Sequence, residues 1–288
     1  MTPSFRQLAL LLLACLIGGG SARGQLSAIA GTAIDVDISG KITVIDRRSA
    51  HVRQYSPEGA LLTEIGGNGW SSNQFDRPSG LWARNGIDVY IADEGNHRVQ
   101  RFDRDLNFIS SFSTRESTDP DRRFGYPRGV SVSRHGELFI LDGENQRVLK
   151  VNRANEVERT FGGFDAGSGK LGAPRALQIG PHDHVYVLDG ERVVVFDAFG
   201  NFVHLLPLGD QARPSCLYAD ESGVIVVGES GITWLDANER VVGVSPLPDA
   251  MKSPVEVTGV AIRARSAYLL STRGLVVEPA PDAWGGLE

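Results

Sequence analysis

An all-β fold, a six-bladed β-propeller of four-stranded antiparallel blades, is predicted by three features of the sequence. A phrase recurs: residues 93–103 read DEGNHRVQRFD, 142–152 read DGENQRVLKVN and 189–197 read DGERVVVFD. It sits in a longer unit whose equivalent positions Asp46, Asp93, Asp142, Asp189, Gly228 and Ser271 are spaced by about 40 to about 50 residues, the period of propeller blades. Each unit carries β-type stretches divided by turn residues, and helical periodicity is absent from the repeat region.

Ahead of the repeats, Arg6 precedes an apolar run from Leu8 to Ile17, followed by Gly18-Gly19-Gly20-Ser21-Ala22-Arg23-Gly24. A positive start, a short apolar stretch and small residues describe a secretory signal peptide over 1–24. The run is short for a permanent membrane span, so no transmembrane segment is expected after cleavage. Leu12-Leu13-Ala14-Cys15 offers a second reading, a lipid anchor at Cys15, although Leu13 fits such a site poorly. Cleavage after Gly24 removes two bases and no acid, taking the formal charge from −6 to −8. Such an acidic chain opposes phosphate-backbone binding, so no nucleic-acid partner is expected. Cys216 is then the one remaining cysteine, which rules out an intrachain disulfide.

Residues 25–288 read as a single domain with blades at about 29–67, 75–114, 124–163, 171–209, 212–248 and 253–288. In the second blade the stretches are Gly80–Ala83, Val89–Ala92, Val99–Phe102 and Phe108–Phe112, with Asn85-Gly86 and Arg104-Asp105 as hairpin turns. The sequence resembles the NHL-repeat family: Asn96-His97-Arg98 nearly spells its name. That resemblance covers residues 29–287, strongly in copies two to four and weakly in five and six. A monomeric propeller is expected.

The recurring phrase is explained as scaffold. Its aspartate ends the second strand and its arginine starts the third, so Asp93–Arg98, Asp142–Arg147 and Asp189–Arg192 can pair across one hairpin. Gly228 and Ser271 replace the aspartate in the same two blades where Gly231 and Gly274 replace the arginine, as pairing requires.

The first strand of each blade lines the axis. Alternation gives one apolar register and one that opens with Ala33, Gly80, Gly129, Ala176, Cys216 and Gly259, small enough for six strands to converge. Cys216 is thus read as a small buried residue. Two residues further, Asp35, Trp82, Ser131, Gln178, Tyr218 and Ala261 are expected to face the channel. Opposite blades would then set Trp82 against Tyr218 and Asp35 against Gln178. These side chains either plug the channel or line a small site with aromatic walls and an acid.

Long loops enter blades two, three and four: GGNGWSSNQFDRP, STRESTDPDRRFGYP and GGFDAGSGKLGAP. Binding in repeat proteins uses the face that receives insertions. Trp70 lies in the first loop. Arg128 and Arg175 hold equivalent positions at this rim, either clamping a carboxylate or phosphate or pairing with Asp121 or Asp165.

The resemblance also implies a possible chemistry, because some six-bladed relatives are peptide-amidating lyases that hold zinc with histidines. His135, His182 and His184 are the candidates here. All three fall on the rim opposite the long loops, away from the channel, so no metal or cofactor is assigned. The family's RNA-binding modules need a basic rim, which this chain lacks. Trp284 matches the apolar anchors of the outer strands and predicts a short C-terminal outer strand in blade six, with Leu26–Ala30 beside it. The functional expectation is an exported, non-enzymatic binding module that takes a protein, peptide or glycan at the long-loop rim of blades two to four. The alternative is a metal-dependent lyase or lactonase-like hydrolase acting in the channel.

Overall fold

The computed structural model describes residues 26–208, 213–282 and 284. The expected leader 1–24, including Cys15, lies outside them. Strands follow one another in six antiparallel sheets whose order is the chain order. The innermost strands are Ala33–Val36, Pro78–Trp82, Pro127–Val132, Pro174–Ile179, Pro214–Asp220 and Val257–Arg263. Each touches the next, and the sixth touches the first, which closes the ring. Among the described residues no helix is long and apolar enough to cross a membrane.

Convergence at the axis dictates residue size there. A Cβ added to Gly80 would fall 2.7 Å from the Cα of Gly129 in the next blade, closer than any real contact. Away from the axis the gaps between blades fill with apolar side chains. Leu81 and Ala83 share a cluster with Ile45 and Val52 of blade one, whereas Trp82 shares one with Val130 and Leu138 of blade three.

That division corrects one expectation. Trp82 does not face Tyr218 across the axis; it packs edge-on against Tyr90, with ring centroids 5.9 Å apart, in the gap between blades two and three. The reason is geometric. A strand's side chains alternate between the two faces of its sheet, and in a propeller both faces abut neighbouring blades. What meets the axis is the strand's edge.

Blade six differs from its expected form as well. It has three strands, Val257–Arg263, Ser266–Ser271 and Leu275–Pro279, with no C-terminal outer strand among the described residues. Trp284 turns back instead to blade five. Its Nε1 donates to Leu235 O at 3.0 Å and its ring meets Trp234 edge-on at 5.7 Å. An indole with a buried N–H needs a carbonyl, and blade five supplies one. The segment before blade one meets blade six at its upper end, where Gly31 N donates to Ser271 O at 3.0 Å.

Candidate functional site

The long loops are fixed to the scaffold by the recurring phrase. Asp93 and Asp142 are fully buried, and Asp189 nearly so. Each pairs with its arginine: Arg98 Nε to Asp93 at 2.8 Å, Arg147 Nε to Asp142 at 3.2 Å and Arg192 Nη2 to Asp189 at 2.9 Å. Both members also hold the entry loop. Asp93 accepts from Asp76 N, Asp142 from Gly125 N, and Asp189 from Gly172 N and Ala173 N. Arg98 donates to the carbonyls of Trp70, Ser71 and Gln74, Arg147 to those of Pro120 and Arg123, and Arg192 to that of Lys170. Burial pushes the Asp93 carboxyl upward, against the hydrogen bonds of Asn96, Asp76 N and Arg98. A buried carboxylate left without such partners is costly, so the phrase ties each loop to its own blade. Large apolar side chains remain in solvent on the tethered loops, foremost Trp70 at 72% and Phe164 at 81% exposure. Lys170 Nζ lies 4.1 Å above the Phe164 ring.

Inside this rim a funnel of about 400 Å³ opens on the axis, and every blade contributes to its wall. One residue per blade forms its polar collar: Thr32, Ser79, Arg128, Arg175, Ser215 and Thr258. In blades two to six the strand register slips at this residue, so that it bulges out of the ladder. A bulge re-aims its side chain. Ser79 Oγ donates to Pro127 O at 2.7 Å, Arg128 Nη1 to Pro174 O at 3.1 Å, Arg175 Nη2 to Pro214 O at 2.6 Å and Thr258 Oγ1 to Gly31 O at 2.9 Å. Each acceptor precedes the collar residue of the next blade. Between blades five and six the link comes from Cys216 Sγ, 3.0 Å from Val257 O. Burial raises this thiol to about 12. Arg128 and Arg175 therefore do not pair with Asp121 or Asp165; Asp121 lies 3.8 Å from Arg147, and Asp165 is exposed. Arg47 is hydrogen-bonded to the buried Glu94 on the same wall.

Below the collar, the axis is occupied by Arg84, which the sequence reading passed over. Its Nη2 donates to Gln178 Oε1 at 2.5 Å, its Nη1 to Ala219 O at 2.5 Å, and its Nε lies 3.6 Å from Asp35 Oδ2, an ion-pair separation. The guanidinium also covers the Tyr218 ring at 4.7 Å. Asp35, Gln178 and Tyr218 are thus brought together, and Trp82 is left out. Asp35 accepts from Ala83 N at 2.8 Å and Val36 N at 3.0 Å. Burial drives its carboxyl upward, with Arg84 and the two amides opposing. Burial likewise raises the Tyr218 phenol, whose O–H donates to Asp220 at 2.9 Å. Gln178 borders the funnel above and Arg84 borders a cavity of about 560 Å³ below, so their contact is the partition between the two. The signal for Arg84 was present in the sequence: alternation carried one step past Trp82 reaches it.

His135 pairs apart from the other candidate histidines, which lie around Glu239. His135 lies 3.4 Å from Asp183, His184 lies 3.2 Å from Glu239, and the rings of His182 and His184 are 5.9 Å apart. His204 meets the same Glu239 at 2.5 Å, and Tyr186 O–H donates to it at 2.6 Å. Among the described residues no group of three or more His, Cys, Asp or Glu is placed to hold a metal ion.

Comparison with known proteins places these features in context. The family description that matches is the NHL repeat, over residues 124–151. The protein brain tumor of Drosophila melanogaster is 27% identical over 143 residues, 49% of this chain and 13% of that protein. Peptidyl-alpha-hydroxyglycine alpha-amidating lyase 2 of the same organism is 31% identical over 103 residues, 32% of this chain and 24% of that protein. The chain thus spans a quarter or less of the length of these relatives. In three dimensions it is similar to a gluconolactonase from Xanthomonas campestris, with a TM-score of 0.63 at 12% identity, covering 89% of this chain and 88% of that one. At that identity the likeness speaks for the fold alone.

Proposed function

Because this chain is a six-bladed propeller of the NHL-repeat family, we propose that it is an exported, non-enzymatic binding module engaging a protein, peptide or glycan at the loop rim of blades two to four. The observation that carries this reading is the pairing of tethered backbone with bare aromatics. Ordering a loop in advance removes an entropic cost from binding. Three Asp–Arg pairs with buried aspartates hold the loops, while Trp70 and Phe164 stand in solvent. Large exposed aromatic rings are common anchors of a recognition surface.

The alternative, a lyase or lactonase-like hydrolase at the axis, draws on the likeness to the amidating lyase and the gluconolactonase. It would need reactive groups free to meet a substrate, and the axial side chains Arg84, Asp35, Gln178 and Tyr218 are engaged with one another. Peptide and glycan arrays with wild type and a Trp70→Ala/Phe164→Ala variant test the binding reading. Ligands held by wild type should be lost by the variant at an unchanged melting temperature. Undiminished binding by the variant, or turnover of lactone or lyase substrates by wild type, would refute it.

A further inference from the structure

The funnel contains two cations without an anion. Arg47 has Glu94. Arg128 and Arg175, by contrast, have only main-chain carbonyls as hydrogen-bond partners among the described residues: Pro174 O for the first, Pro214 O and Gly190 O for the second. Each guanidinium uses one nitrogen for these bonds, so each keeps a second terminal nitrogen and Nε for a ligand. The chain as a whole carries a formal charge of −6. Two uncompensated cations in a narrow concavity of such a protein focus a local positive field, and their planar forks match a carboxylate.

The rest of the wall narrows the ligand further. Ser79 and Thr258 have directed their hydroxyl protons to Pro127 O and Gly31 O, so toward a ligand they offer lone pairs. Such acceptors suit a ligand rich in O–H groups. At the collar's base Gly80, Gly129 and Gly259 leave backbone exposed to the funnel beside apolar residues such as Ile34, Leu177 and Val260. The Arg84–Gln178 contact shuts the lower end. A closed funnel of about 400 Å³ is within the size range of small-ligand pockets and admits a chain end.

From carboxylate donors, hydroxyl acceptors and a single entrance, we infer that the funnel binds the terminal uronic acid of an acidic glycan, whose neighbouring sugars lie toward Trp70. This rests on the loop rim being the binding face.

The test is calorimetric titration with trigalacturonate and its methyl ester. Wild type should bind the free acid about tenfold or more tightly than the ester, the scale of one lost charge-assisted bidentate contact. Arg128→Gln/Arg175→Gln should erase that preference, because glutamine keeps an N–H for the collar carbonyls and loses the charge. Trp70→Ala should weaken acid and ester alike. Equal affinity for acid and ester, or no binding of either, overturns the uronate assignment. Equally tight binding of inorganic phosphate or of a peptide with a free C-terminus also overturns it, the first marking an adventitious anion site. An acid preference that survives Trp70→Ala unweakened, in contrast, keeps the funnel assignment and removes the rim. Loss of acid preference with the Trp70 effect retained does the reverse.

Discussion

Arg84 of blade two holds its guanidinium carbon 4.7 Å from the ring centroid of Tyr218 in blade five, across the propeller axis. A cation over an aromatic face in a desolvated site contributes on the order of 2 kcal/mol, and here the same cation also faces Asp35 and Gln178. Four blades therefore meet at one side chain. Arg84→Ala should destabilise the fold by about 3–5 kcal/mol, since it strands the buried Asp35 carboxylate. Urea denaturation measures this. A midpoint within error of wild type would show that the axial network contributes nothing net.

The tether between phrase and loop makes a local prediction. Arg147 holds Pro120 O and Arg123 O as well as Asp142. Arg147→Ala should free the blade-three loop, and limited trypsin digestion should then cut after Arg122 or Arg123 at least about tenfold faster, as local opening rather than global unfolding sets the rate. An unchanged cleavage rate would separate the arginine from the loop.

Trp284 sits on Trp234 and donates to Leu235 O. Its removal leaves a cavity and an unpartnered carbonyl, so Trp284→Ala should cost about 3–5 kcal/mol. Trp284→Phe keeps much of the packing and loses the hydrogen bond, and should cost less. If the melting temperatures of both variants match wild type, the tryptophan does not fasten blade five.

Cys216 gives a pH prediction with a definite sign. Its thiol is raised from 9.0 to about 12, first by burial and then by Glu256, against Ser215 and Arg175. Between those values the native chain keeps a proton that the unfolded chain has lost. Stability contributed by this group is therefore whole below pH 9 and declines as pH rises toward 12. Iodoacetamide at pH 8 should leave Cys216 unmodified in native protein and label it rapidly in urea, as peptide mapping would show; native labelling of Cys216 would contradict the burial.

Much of this architecture was legible because it is written in repeats. The spacing of Asp46, Asp93, Asp142 and Asp189 exposes the blades, and paired loss of aspartate and arginine at Gly228/Gly231 and Ser271/Gly274 exposes the pairing. Orientation was harder to read. Alternation states that Trp82 and Leu81 point oppositely, yet which directions those are depends on how the sheets stand around the axis. Arg84 was overlooked because a long side chain reaches well beyond the strand that carries it. The collar, too, was visible in part: Arg128 and Arg175 stood out by charge, whereas their hydroxyl counterparts Ser79, Ser215 and Thr258 looked ordinary until the bulges showed them sharing one ring.

Blade six, with its three strands, leaves Leu275–Pro279 without a fourth strand beside it among the described residues. A bare strand margin invites pairing with another molecule, and this one carries two deterrents, the charge of Glu278 and the absent N–H of Pro279. Fusion partners or crosslinks placed near those two residues would therefore meet a three-stranded sheet at its guarded edge, while attachments on the other five blades would meet a fourth strand that is itself the edge of its sheet.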